Sequence, residues 1–152
     1  MAPGEAVYAC LQDYAKFRGR ARRPEFWWWI LFILATNALA TFADTQVWAS
    51  EPYLGFSGLV FWLTLLPSLA VRWRRLQDTG IPGWIGLVPE ALGLGLSAVT
   101  FLFGEGPVQL VVLALYAASA ALLTLGCAMP SQSGRNVFGA EPPLTPIRWS
   151  LR

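Results

Sequence analysis

Four stretches of this 152-residue chain are apolar almost without interruption: FWWWILFILATNALATFA (26–43), LGFSGLVFWLTLLPSLAV (54–71), WIGLVPEALGLGLSAVTFLF (84–103) and VQLVVLALYAASAALLTLGCAM (108–129). Each runs 18 to 22 residues, and about 20 residues at 1.5 Å rise cross the roughly 30 Å hydrocarbon core of a bilayer. Helices of a soluble bundle would carry a polar stripe at helical spacing. These do not, and only the third holds a formal charge, Glu90. Lipid offers no partner to a backbone N–H or C=O, so each stretch must satisfy its own as a helix. The expected fold class is all-α: a polytopic membrane protein with four transmembrane helices.

Composition agrees, with 55% hydrophobic and only 13% charged residues against about 25% charged in a typical soluble domain. The chain contains no histidine, which removes imidazole acid–base chemistry, Ser-His-Asp triads and the commonest metal and haem ligands. Its two cysteines, Cys10 and Cys127, are far apart and form no CxxC pair, so neither a zinc site nor a redox motif is indicated. Reduced thiols are expected on the cytoplasmic side. No GxxxxGK[ST], HExxH or GxSxG motif occurs. No cofactor, metal or nucleic-acid partner is expected.

The charges orient the spans. Lys16, Arg18, Arg20, Arg22 and Arg23 precede the first; Arg72, Arg74 and Arg75 separate the second and third; Arg135, Arg148 and Arg152 follow the fourth. The two remaining loops hold Asp44, Glu51 and Glu105 and no basic residue. All 11 basic residues thus fall on one side, which the positive-inside rule makes cytoplasmic. Both termini are expected inside. A re-entrant third span, conceivable from Pro89, Glu90, Gly93 and Gly95, would put Arg135, Arg148 and Arg152 outside and spoil the asymmetry.

Three regions follow: a cytoplasmic N-terminal segment (1–25), the four-span bundle (26–129) and a proline-rich cytoplasmic tail (130–152). Val7, Cys10, Leu11, Tyr14 and Phe17 recur at helical spacing, predicting a short amphipathic helix on the inner membrane surface that ends at Gly19. The basic cluster and first apolar run lack an A-x-A-like cleavage site, so that span is expected to remain as an anchor. Pro24 suits the first turn of that span. Trp27, Trp28, Trp73 and Trp84 at one level, and Trp48 and Tyr53 at the other, read as headgroup belts. In the tail, PPLTP reads as an extended polyproline-type stretch, and Ile147, Trp149 and Leu151 with Arg148 and Arg152 as contacts for headgroups or a partner.

FRGRARRPEFWWW and RRLQDTGIPGW resemble the two signature segments of the small DUF805 (domain of unknown function) family of bacterial inner-membrane proteins. The family pattern runs F-x-G-R-x-x-R-x-E-F-W before the first span and R-R-L-H-D-x-x-x-S-G-W before a later one, with a Gly-x-Asn-x-x-Gly element after the last. Matching positions are Phe17, Gly19, Arg20, Arg23, Glu25, Phe26 and Trp27, then Arg74, Arg75, Leu76, Asp78, Gly83 and Trp84, then Gly134, Asn136 and Gly139. Gln77 stands where the family usually has histidine, and Pro82 where it usually has serine. The resemblance covers about residues 5–140. It implies a multi-span protein of the bacterial inner membrane and carries over no biochemical activity.

Within RWRRLQD, Asp78 can pair with Arg74 at i,i+4 or with Arg75 at i,i+3, and Asp78-Thr79-Gly80 reads as a helix end and tight turn. The plain reading is an orienting hairpin. The sharper one converges Arg20, Arg23, Glu25, Arg74, Arg75, Asp78 and Asn136 into one polar cluster whose surplus guanidinium suits an anionic lipid phosphate or a partner protein. Glu90 lies roughly 9 Å of helix rise below Trp84, where a charge needs a partner, water or a proton. Arg72, Arg75 or another chain can supply that partner, and Pro89 beside it is expected to kink the helix. Ala91/Gly95, Gly93/Ser97, Ala114/Ala118 and Ala117/Ala121 form small-residue faces for close helix packing. The expected function is a non-catalytic inner-membrane accessory or assembly subunit that binds a partner membrane protein or anionic lipid. The alternatives are a small oligomeric transporter or channel using Glu90 and, third, a lipid-modifying enzyme.

Overall fold

The structure is a computed structural model and describes residues 1–47, 55–104 and 106–140. It contains α1 (Pro3–Gln12), α2 (Arg23–Val47), α3 (Phe56–Asp78), a 3-10 turn (Gly83–Leu87), α4 (Val88–Phe103) and α5 (Pro107–Ala128). Among the described residues there is no strand beyond an isolated bridge, Asn136 to Gly139. The predicted positions of Trp48, Glu51, Tyr53, Glu105 and the PPLTP-to-Arg152 tail lie outside the described residues.

Among the described residues, four helical stretches are long and apolar enough to cross a membrane: Arg23–Val47, Phe56–Asp78, Gly83–Leu102 and Pro107–Ala128. In their most apolar windows only 11–17% of residues are buried within the chain. The remaining apolar faces therefore need lipid or another protein against them. Two hairpins dominate the packing, α2 on α3 and α4 on α5, and α5 meets α2 and α3 only lightly.

Proline placement explains much of the local geometry. Pro24 is the second residue of α2, where its missing N–H would have no intrahelical acceptor anyway. Pro67 sits inside α3 and deprives the Leu63 carbonyl four residues back of its donor. The Tyr14 hydroxyl replaces that donor at 2.7 Å. Pro89 lies in the first turn of α4, after the 3-10 turn. The expected kink is thus a change of winding at the start of the helix, where proline is tolerated.

The N-terminal helix is shorter than predicted. It ends at Gln12, and Tyr14 and Phe17 belong to the irregular segment that follows. Its buried residues are Ala6, Ala9 and Cys10, while Tyr8 and Leu11 remain exposed, so small side chains bring α1 close to α2. Gly19, expected to stop this helix, instead takes a φ of 102° in the turn before α2.

α3 runs continuously through RWRRLQD and ends in a Schellman motif. Ile81 N–H donates to the Leu76 carbonyl at 2.9 Å and Gly80 N–H to that of Gln77 at 3.2 Å, with Gly80 at φ 85°. Leu76 joins Cys10, Ala21, Phe26, Trp29, Val71, Leu123 and Cys127 in the buried core, and the half-buried Ile81 packs against it. That core sits at the end of the bundle carrying α1 and the α3–α4 connection.

At the opposite end, Asp44 in the last turn of α2 is fully buried and caps the start of α3. It accepts from the N–H groups of Phe56 at 2.6 Å and Ser57 at 2.8 Å, and from the Ser57 hydroxyl. A helix start has four N–H groups without intrahelical partners, and a carboxylate also complements its positive dipole end.

Candidate functional site: a buried arginine clamp and a polar cavity

At the core end, the last two turns of α3 deliver four polar side chains inward on either side of Leu76. Arg74, Arg75, Gln77 and Asp78 are all buried, as are Arg20 and Glu25. Asp78 is the hub. Its Oδ1 accepts from Arg20 Nε at 2.8 Å, and its Oδ2 from Arg75 Nη1, with all three side chains inaccessible to solvent. The i,i+3 pairing of Arg75 with Asp78 is thus the one formed, and Arg74 turns the other way. Arg74 Nη1 reaches Asp13 Oδ2 at 3.0 Å and Glu25 Oε1 at 2.9 Å, so Asp13 belongs to the cluster although the sequence did not single it out.

The remaining guanidinium donors grip mainly backbone carbonyls at the end of α5 and just after it. Arg20 donates to the carbonyls of Gln132 and Gly134. Arg75 donates to those of Cys127 at 2.8 Å and Met129, to the Ser131 hydroxyl at 3.1 Å, and to Ala21 at 3.4 Å. Arg23, more exposed, donates from Nε to Met129 at 2.9 Å. Carbonyls at a helix C-terminus lack intrahelical donors and carry the negative dipole end, so cations suit them. The chain thereby binds its own last helix end through arginines from two distant segments.

Asn136 completes this arrangement. Its amide donates to the Gln77 carbonyl at 2.8 Å and to Gln132 Oε1 at 3.2 Å. Its side-chain oxygen accepts from Phe138 N–H at 2.9 Å, an Asx turn that fixes the Gly134–Gly139 loop. The backbone of Gln132 donates to the Asp78 carbonyl at 2.9 Å.

Gln77 has a specific task here. With its amide nitrogen facing the turn before α2, it donates to Gly19 at 2.8 Å and Phe17 at 3.2 Å, while its oxygen accepts from Trp73 Nε1 at 3.0 Å. Trp73 packs edge-on against Phe17, ring centroids 5.5 Å apart, so it belongs to the cap and not to a headgroup belt. Trp27, Trp28 and Trp84 are exposed, as a belt requires. A Cβ on Gly83 would fall 2.2 Å from the Trp73 ring, which accounts for glycine there.

Below the clamp lies a second polar feature. Arg72 Nη1 donates to Glu90 Oε1, linking α3 to the first turn of α4. The pair borders a cavity of about 110 Å³ lined by residues of all four long helices, among them Phe26, Ile30, Tyr116 and Thr124. Glu90 thus meets Arg72, one of the partners anticipated for it. Gly93 lies beneath the Tyr116 ring, so one member of the Gly93/Ser97 pair sits in the α4–α5 seam, while Ser97 is exposed. Ala91, Gly95, Ala114, Ala117, Ala118 and Ala121 are exposed on the chain.

Among the described residues, no three of Asp, Glu and Cys converge as metal ligands. Cys10 and Cys127 are free and buried. The Cys10 thiol faces Glu25 Oε1 at 4.0 Å, and burial, followed by the Glu25 charge, pushes its pKa well above the usual thiol value.

Four apolar helices tied at one end by a buried arginine–aspartate clamp define a helical membrane protein. A family model described as "Protein of unknown function (DUF805)" matches residues 14–140, and the chain belongs to that family. It is similar to the inner membrane protein YhaH of Escherichia coli (strain K12), 38% identical over 80 residues, covering 51% of this chain and 66% of that one. It is equally similar to the inner membrane protein YhaI of the same strain, 38% identical over 73 residues, covering 48% of this chain and 60% of the relative. The chain thus spans somewhat under two thirds of the length of these relatives. No solved structure matches.

Proposed function

We propose that this protein is a non-catalytic accessory or assembly subunit of the bacterial inner membrane, with both termini cytoplasmic and its clamp at the cytoplasmic surface. The observation that carries the reading is the internal saturation of the clamp. Arg20, Arg75 and Asp78 spend their hydrogen bonds on one another and on carbonyls at and just after the end of α5. Charges engaged in this way hold a platform together and are not positioned to turn over a substrate.

The geometry divides the polar cluster into two parts. Arg20, Arg74, Arg75, Asp78 and Glu25 form its interior, and Asn136 ties down the loop above them. Arg23, with the exposed Lys16, Arg18 and Arg135, forms a basic rim suited to anionic headgroups or to an acidic partner surface, at about 1 kcal/mol per Lys or Arg near an anionic leaflet. The lightly covered apolar faces of α4 and α5 supply membrane-embedded area for such a partner.

The rival reading, an oligomeric transporter using Glu90, has less support. Beyond Glu90, the described parts of α4 and α5 carry no Asp, Glu, Lys or Arg to continue a polar path.

The test is native mass spectrometry of protein gently extracted from its own membrane, as wild type and with the rim charges reversed. Charge reversal on the rim (Lys16→Glu, Arg18→Glu, Arg135→Glu) is expected to release the partner while leaving thermal stability intact. A wild-type protein migrating as a lone monomer, without partner or anionic lipid, overturns the proposal. A homo-oligomer whose flux activity depends on Glu90 replaces it with the transport reading.

A further inference from the structure

The cavity beside Arg72 and Glu90 has unspent hydrogen-bonding capacity of both signs. Glu90 Oε1 is engaged by Arg72, but Oε2 is buried with no partner among the described residues. A buried carboxylate oxygen without a donor is costly, so a donor from outside the chain is called for. Arg72 offers five N–H groups, and among the described residues the bond from Nη1 to Glu90 is the one its side chain makes. An orphan acceptor and spare donors therefore stand side by side in a site whose two formal charges cancel.

Location restricts the source. Arg72 lies six residues before the end of α3, about 9 Å of rise below the clamp, which is the depth of headgroup and glycerol if the clamp lies at the surface. Tyr116 and Thr124 line the cavity and are also exposed on the outer face of α5. Two residues of the cavity wall thus reach the surface that the proposed membrane arrangement turns toward lipid. The cavity's 110 Å³ admits a small polar group of a few heavy atoms, a single water taking about 30 Å³ of liquid.

We propose that this cavity seats the headgroup of a zwitterionic aminophospholipid, its primary ammonium donating to Glu90 Oε2 and its phosphate accepting from the spare N–H groups of Arg72. A net-neutral site with paired donor and acceptor favours a zwitterion over an anionic headgroup. The need for an N–H donor excludes a quaternary ammonium. This assignment rests on the proposed placement of the clamp at the membrane surface, but not on the accessory role or the basic rim, which concern other residues.

The experiment uses the full chain in mild detergent, titrated separately with phosphatidylethanolamine, phosphatidylcholine and phosphatidylglycerol and read by native mass spectrometry. A hydrogen bond to a charged group predicts about tenfold tighter retention of phosphatidylethanolamine than of phosphatidylcholine. Glu90→Gln is expected to bring that ratio close to one. Ala120→Phe, which fills the cavity while keeping both members of the ion pair, is expected to abolish the preference and keeps the test decisive if Glu90→Gln fails to fold. Equal retention of the two lipids by the wild-type protein overturns the proposal, as does a preference that survives Ala120→Phe. Displacement of the lipid by millimolar soluble phosphoethanolamine overturns the membrane source in favour of a solute with the same chemistry.

Discussion

Replacing Asp78 by asparagine tests the clamp most directly. The carboxylate serves two guanidiniums through separate oxygens, and none of the three side chains touches solvent. Asparagine keeps the shape, removes the charge and points an N–H₂ at one of the two arginines. Removing one partner of a buried ion pair typically costs about 3–5 kcal/mol, because an uncompensated buried charge remains. Here two cations lose their counterion at once, yet each retains other acceptors: Gln132 and Gly134 for Arg20, and Cys127, Met129, Ala21 and Ser131 for Arg75. The expected loss therefore lies near 4 kcal/mol, within that range. It is measured by reversible denaturation in mixed micelles, followed by far-ultraviolet circular dichroism and tryptophan fluorescence. Adding Arg20→Gln to Asp78→Asn should recover part of the loss, with a coupling of about 1–3 kcal/mol. A single Asp78→Asn variant within about 0.5 kcal/mol of wild type, the range of ordinary surface changes, would refute the account of the clamp.

Changes at four other places test the geometry further. Gly55→Ala places a Cβ 2.2 Å from Asp44 Oδ1, so it should displace the α3 cap and lower stability by about 0.5–2 kcal/mol, as Asp44→Ala should; equal melting of Gly55→Ala and wild type contradicts this. Gln77→Leu should cost about 2–3 kcal/mol by stranding Trp73 Nε1 and two carbonyls. Gln77→His, able to donate and accept as the neutral ring, should match wild type at pH 8 and lose stability as pH falls below about 6.5, because the imidazolium has no acceptor for Trp73; a flat pH profile for that variant is the contrary result. Tyr14→Phe leaves the Leu63 carbonyl freed by Pro67 without its donor and should cost about 1 kcal/mol in the same unfolding assay. Cys10, its pKa raised by burial above the model-peptide 9.0, should resist maleimide at pH 8 until the protein is unfolded. Above pH 9 the unfolded chain ionises this thiol first, so stability should fall with rising pH, and Cys10→Ala should flatten that slope.

The spans were legible because hydrocarbon imposes length and apolarity on any helix that crosses it. α2 and α3 simply extend beyond 26–43 and 54–71 into polar residues that hydropathy does not count. Convergence of Arg20, Arg74, Arg75, Asp78 and Asn136 could be read from three polar segments lying at one end of the bundle. Which arginine meets which carboxylate could not, because i,i+3 and i,i+4 are equally good neighbours on a helix. Nor could the carbonyls of Met129, Gln132 and Gly134 be foreseen as ligands, since every residue carries one and only the path of the chain selects among them. Asp44 read as a loop charge because its partners, the N–H groups of Phe56 and Ser57, belong to the next helix. Gln77 read as a departure from the family pattern, whereas its amide supplies the donor and acceptor that a neutral imidazole would offer.

The clamp also sets the order in which this chain can be finished. Arg20 and its carbonyl acceptor at Gln132 are 112 residues apart, and at about 5–20 residues per second of synthesis the arginine precedes that acceptor by roughly 6–20 seconds. Until then Arg20 and Arg75 must remain hydrated or be held by other molecules at the membrane surface. The first hairpin can enter the bilayer during that interval, but its polar end cannot dry out. The segment after α5 therefore seals a core whose first arginine was laid down 112 residues earlier.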